Sequence, residues 1–111
     1  MSIHTISGAT ANRLGKLAEL YRQGQASDLT ARTLEKLIEY ETGLARTQLQ
    51  ELQKDLAEFE QRYGRTSTDF FQAYQAGETD DRMDFVEWAS LVQMAENLRR
   101  RVQLLSSETI P

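Results

Sequence analysis

The stretch that decides the fold is Ile38-Glu-Tyr-Glu-Thr42-Gly-Leu-Ala45-Arg-Thr-Gln-Leu49-Gln-Glu-Leu52-Gln-Lys-Asp-Leu56-Ala-Glu-Phe59-Glu-Gln-Arg-Tyr63. Thr42, Leu49, Leu56 and Tyr63 fall on one core position of a seven-residue repeat, and Ile38, Ala45, Leu52 and Phe59 fall on the other. Such spacing returns apolar side chains to one helical face, as in the seam of a coiled coil. Glu39, Glu41, Arg46, Gln48, Gln53, Asp55, Glu60 and Arg62 flank that seam. No proline interrupts the chain from Thr30 to Tyr63. A helix of that length spans roughly 50 Å at 1.5 Å per residue, more than the width of a small domain, so part of it projects or pairs with another chain. Leu34, Leu37 and Leu44 lie off the seam and predict a second packed side, supplied by the preceding helix.

Outward from this helix the elements follow from stop and start signals. Upstream, Leu14, Leu17, Ala18 and Tyr21 make an apolar stripe from Thr10 onward, and Gly24 is placed to end it. Asp28 or Thr30 offers the side-chain oxygen that caps the long helix. Residues 2 to 7 read as a weak strand, because Ile3 and Ile6 do not share a face. Downstream, Gly64 ends the long helix and Thr66 or Ser67 caps a short one from Phe70 to Ala76, closed by Gly77. Glu78-Thr-Asp-Asp81 opens a last helix from Arg82 to Leu105. Trp88, Ala95 and Val102 form one of its rows, and Leu91, Leu98 and Leu105 the other. Two long helices with matching seams and a short link predict an antiparallel hairpin. The expected fold is therefore all-α: a long central helix, a C-terminal antiparallel helical hairpin and a small N-terminal helical element. The expected division is residues 1–33, for dimerisation or DNA binding, and residues 34–111, for partner binding.

The 111 residues, 40% hydrophobic and 27% charged with one proline, suit one ordered helical protein. With no cysteine and a single histidine, disulfides, thiol chemistry and an ordinary zinc site are excluded. No apolar run is long enough for a membrane span, and the expected location is the cytoplasm. The net charge of -4 opposes a strongly basic nucleic-acid binder. The excess acid lies in the C-terminal part, which suits a basic protein partner.

Residues 76 to 88 carry five carboxylates, Glu78, Asp80, Asp81, Asp84 and Glu87. Their spacing does not match the alternate oxygens and central glycine of a calcium loop, and capping at a helix start already explains them. Neither a phosphate loop nor a nucleophile elbow is present, and Asp81 with Asp84 on a first turn lacks the pocket and supporting base that acid–base catalysis needs. No enzyme activity, cofactor or metal is expected. Phe70, Phe71, Tyr74, Phe85 and Trp88 crowd into 19 residues, where two uses compete: the cap of the hairpin core, or anchors at an interface. Together with Asp81, Met83 and Asp84 they are the candidate partner-binding residues. Arg99, Arg100 and Arg101, the one basic run, read as a structural helix-end cluster.

Three segments, Leu56-Ala-Glu-Phe-Glu-Gln-Arg-Tyr-Gly64, Ser67-Thr-Asp-Phe-Phe71 and Gly77-Glu-Thr-Asp-Asp-Arg-Met-Asp-Phe-Val-Glu-Trp-Ala89, resemble a group of small helical bacterial proteins, especially cyanobacterial ones. That group is similar to the antitoxin partners of toxin–antitoxin gene pairs, and the resemblance covers roughly residues 49 to 105. It implies an antitoxin-like protein that neutralises a toxin-like protein partner; the acidic C-terminal part makes the expected partner a basic one, the absence of catalytic motifs makes the expected role non-catalytic, and the expected assembly is a homodimer. It also implies a DNA-binding element of ribbon-helix-helix type ahead of the toxin-binding part, with autoregulated transcription. Against DNA stand the non-alternating Ile3, Thr5 and Ser7 and the eight residues between the first two helices. A coiled-coil scaffold or adaptor without a toxin is the competing expectation.

Overall fold

The computed structural model describes residues 8–106; the weak strand expected at residues 2 to 7, and with it the ribbon of a ribbon-helix-helix, lies outside them. Four helices follow in order: α1 (Gly8–Arg22), α2 (Asp28–Tyr63), α3 (Ser67–Gln75) and α4 (Met83–Ser106). Among the described residues there is no strand. The chain forms two compact units, one ending at Ile38 and the other beginning at Glu39, with α2 contributing to both.

In the N-terminal unit, α1 stops at a left-handed Gly24 (φ 72°), whose neighbour Gln25 donates its N–H to the Leu20 carbonyl at 3.0 Å. The cap of α2 is Ser27, not Asp28 or Thr30 as the sequence suggests. Its hydroxyl accepts the Thr30 N–H at 3.1 Å, which leaves Asp28 free to pair with Arg32 one turn later, at 2.6 Å. No residue of α1 is buried. Leu34 is half-buried beside α1, whereas Leu37 is 55% exposed, so the second packed side expected of α2 is narrower than Leu34, Leu37 and Leu44 together imply.

The C-terminal unit holds the core. Ala45, Leu52, Leu56 and Phe59 of α2, Phe70 of α3 and Trp88, Ala89, Ala95 and Leu98 of α4 form one buried cluster. The buried part of the α2 seam starts at Thr42 and not at Ile38, which is 46% exposed; Leu44 also lies exposed. Arg62 and Tyr63 meet Asp84, Phe59 meets Trp88, and Leu56 shares a cleft with Val92 and Ala95. Contacts that advance along α4 as they retreat along α2 define the antiparallel hairpin that the matching seams predict.

Short α3 wedges into the open end of this hairpin. Thr66 is its cap, accepting the Asp69 N–H at 3.0 Å, and the next free donor, the Ser67 N–H, reaches back to the Glu60 carboxylate at 2.8 Å. At the other end Gly77 (φ 74°) turns the chain, while the Glu78 N–H closes a Schellman-type bond of 2.8 Å to the Ala73 carbonyl.

Candidate functional site

Two neighbouring features of the C-terminal unit carry the sequence candidates: an aromatic cluster under the α3–α4 turn, and the outward face of α4. Trp88 is the hub of the cluster. Phe70 stacks on it with centroids 3.8 Å apart and planes within 2°, Phe59 lies 5.6 Å away and Tyr63 5.8 Å away. Its indole N–H donates to the Ser67 hydroxyl at 3.0 Å. Phe85 closes the group, with its ring centroid 5.1 Å from Tyr63 and 5.3 Å from Phe70. Phe70 and Trp88 are 0% exposed, so no partner can touch them while this unit is folded. For these two, the core use of the aromatics applies. Tyr74 and Phe85 are half-buried against the same cluster; Phe71, also half-buried, borders an open groove of about 460 Å³ with Val92 and the polar side chains of Gln75, Gln93 and Asn97.

The carboxylates divide in the same way. Asp84, half-exposed at the first turn of α4, accepts the Tyr63 hydroxyl at 2.6 Å and an Arg62 guanidinium N–H at 3.0 Å. The Tyr63 hydrogen bond, with help from Arg62, lowers the Asp84 pKa from its ordinary value. Asp80 accepts both the backbone N–H and the guanidinium of Arg82, at 3.0 and 2.8 Å. Its carboxyl is held down to about 2, first by that side-chain bond and then by the backbone one. Arg82 also lies over the Phe85 ring, 4.6 Å from its centroid. Asp84 thus ties the start of α4 to the end of α2, and Asp80 closes the turn on Arg82, whereas Glu78, Asp81 and Glu87 stand exposed around it.

What the sequence reading missed is a second stripe on α4. Met83, Val86, Ser90, Met94, Asn97, Arg101 and Leu104 follow one another at intervals of three and four residues, and all are exposed. Met83 is 76% exposed and Met94 48%, on the face turned away from Trp88, Ala95 and Leu98. The spacing alone marks it weakly, because Ser90, Asn97 and Arg101 interrupt its apolar residues, whereas the row containing Trp88 and the leucines is unbroken. Exposed, adaptable methionines between carboxylates suit contact with another protein surface.

The carboxylates with lowered pKa are both hydrogen-bonded to neighbouring side chains, Asp80 to Arg82 and Asp84 to Tyr63 and Arg62. Among the described residues, no group of three or more His, Cys, Asp or Glu side chains is placed to hold a metal ion, and no helix is long and apolar enough to cross a membrane. No family model, curated protein or solved structure matches the chain.

Proposed function

We propose that this is a non-catalytic, cytoplasmic binding protein, antitoxin-like, that acts as a homodimer and neutralises a basic protein partner. The observation that carries the reading is the outward face of α4. Its exposed Met83, Val86 and Met94 form an apolar strip beside the carboxylates Asp81 and Glu87. An apolar strip supplies affinity through desolvation, and the acidic border steers and selects a positively charged partner. Of the candidate residues, Asp81 and Met83 contact the partner directly, with Val86 and Met94 added to them. Phe70 and Trp88 act by holding α4 in place. The resemblance of residues 49 to 105 to toxin-binding helical proteins supports the same reading, as does the acid excess of that half. Autoregulation of the protein's own promoter belongs with it and predicts salt-dependent promoter binding by the N-terminal unit, which carries Arg13, Lys16, Arg22, Arg32 and Lys36.

The test is co-expression with the product of the adjacent gene. A small basic neighbour that arrests growth alone is expected to be tolerated together with this chain. The double variant Met83→Gln with Met94→Gln is expected to lose that rescue while keeping its melting temperature. A neighbour without effect on growth, or rescue indifferent to the double variant, would refute the reading. The second reading, a coiled-coil scaffold, draws on the heptad pattern of the 36-residue α2 and predicts no such neighbour.

A further inference from the structure

The N-terminal unit leaves its apolar surface uncovered. Among the described residues before Glu39 not one is buried, although Leu14, Leu17, Ala18, Tyr21, Leu34 and Ile38 all line one open groove of about 310 Å³ between α1 and the start of α2. Two short helices cannot enclose a core between them, and ordering them without burial is opposed by chain entropy. Something must cover this groove when the unit is folded.

The charges around it say what fits. Glu19 is paired with Arg22 at 3.1 Å and Asp28 with Arg32 at 2.6 Å, each within its own helix. Among the described residues, Arg13, Lys16 and Glu35 have no ion pair. Glu35 borders the groove between the two helices. Arg13 and Lys16 border a second groove on the other flank of α1, and both grooves share Leu14 and Leu17. One apolar stripe therefore has an acidic edge and a basic edge. A basic partner would meet Arg13 and Lys16, and an acidic one would meet Glu35. A two-fold related copy, in contrast, lays its basic edge on the acidic edge and its acidic edge on the basic one. That self-complementarity is what an isologous interface requires.

Resting on the homodimer reading above, we infer that the groove lined by Leu14, Leu17, Tyr21, Leu34 and Ile38 is the dimer interface. A second copy of the chain covers it, its own α1–α2 pair completing a four-helix arrangement with Glu35 of each copy against Arg13 and Lys16 of the other.

The experiment uses the full chain. Sedimentation velocity over about a hundredfold range of concentration is expected to give a dimer whose dissociation tracks protein concentration. Leu17→Gln is expected to abolish the dimer and to remove the far-ultraviolet signal of the 15-residue α1, while Trp88 fluorescence stays native. Because Leu17→Gln can also act by unfolding the α1–α2 pair alone, charge reversal provides the independent arm. Glu35→Lys, and separately Arg13→Glu with Lys16→Glu, are each expected to weaken the dimer about tenfold or more, and the three changes together are expected to restore it. A dimer unaffected by all of these changes would overturn this interface while leaving the homodimer standing. A chain monomeric throughout with α1 still helical would overturn both. Protection of α1 amides appearing only when the neighbouring gene's product is added would assign the groove to that protein and overturn the inference, while leaving toxin-type binding intact.

Discussion

Replacing Trp88 is the sharpest test of whether the aromatic cluster holds the C-terminal unit together. Trp88→Ala removes a side chain that is fully buried, and large-to-small changes of this kind cost about 3–5 kcal/mol. Its ring partners raise the expectation to the upper end: Phe70 at 3.8 Å, Phe59 at 5.6 Å and Tyr63 at 5.8 Å all lose a face, and each such pair adds about 0.5–1.5 kcal/mol beyond area. The indole hydrogen bond to Ser67 contributes little more, because the half-exposed hydroxyl regains water. A loss of about 5 kcal/mol is comparable to the whole stability of a unit of this size, which at about 0.05–0.15 kcal/mol per residue is only several kcal/mol. Trp88→Ala is therefore expected to leave no cooperative melt by circular dichroism at 222 nm. Trp88→Phe keeps a ring for Phe70 and loses the second indole ring and the N–H donor. It is expected to cost about 1–2 kcal/mol, and so to lower Tm by about 4–16 °C at the 4–8 °C per kcal/mol typical of a small domain. A Trp88→Ala protein that melts at the wild-type temperature would refute the core assignment and return Trp88 to the partner-facing residues.

Three further outcomes follow from the same geometry. Asp80 and Asp84 both have lowered pKa values, so the folded chain holds fewer protons than the unfolded one. The stability they contribute is complete above the ordinary value of 3.8 and is lost as the pH falls, for Asp80 through about 2. Carboxyl chemical shifts should show the Asp80 midpoint near 2, and Tyr63→Phe should move the Asp84 midpoint upward; an unmoved Asp84 would mean that the Tyr63 hydroxyl does not govern it. Gly77→Ala meets no steric obstacle but forces an alanine to φ 74°, and should cost about 1–2 kcal/mol in urea denaturation without changing the m-value. Ser67→Ala strands the buried Trp88 N–H and should cost about 1–3 kcal/mol, with a shift in Trp88 fluorescence reporting the lost bond.

The helices themselves were legible because their punctuation is local. Gly24, Gly64 and Gly77 all adopt the positive φ that stops a helix, as their positions at the ends of the helical patterns suggest. The heptad seam also located the core from Ala45 to Phe59 and its pairing with α4. Misplaced features depended on tertiary choices. Ser27, Asp28 and Thr30 are all competent caps, and the selection of Ser27 is visible only once Asp28 is seen pairing with Arg32. Ile38 and Leu37 fit a helical apolar pattern equally well whether covered or open, because periodicity records which side chains share a face and not whether anything lies against it. For the candidate site, residue type pointed to the right segment but could not separate Phe70 and Trp88, which fill the core, from Met83, which does not. The Asp84 bonds to Arg62 and Tyr63 join residues more than 20 positions apart, beyond the reach of any local pattern.

Ser67 holds a place out of proportion to its size: its backbone N–H is bonded to Glu60 of α2, its hydroxyl to Trp88 of α4, and it opens α3. A residue that joins three helices leaves none of them free to fray by itself at that end. Amide hydrogen exchange in the last turns of α2, in α3 and in the first turns of α4 should therefore proceed through one shared opening with one free energy, as a single cooperative unit of the molecule.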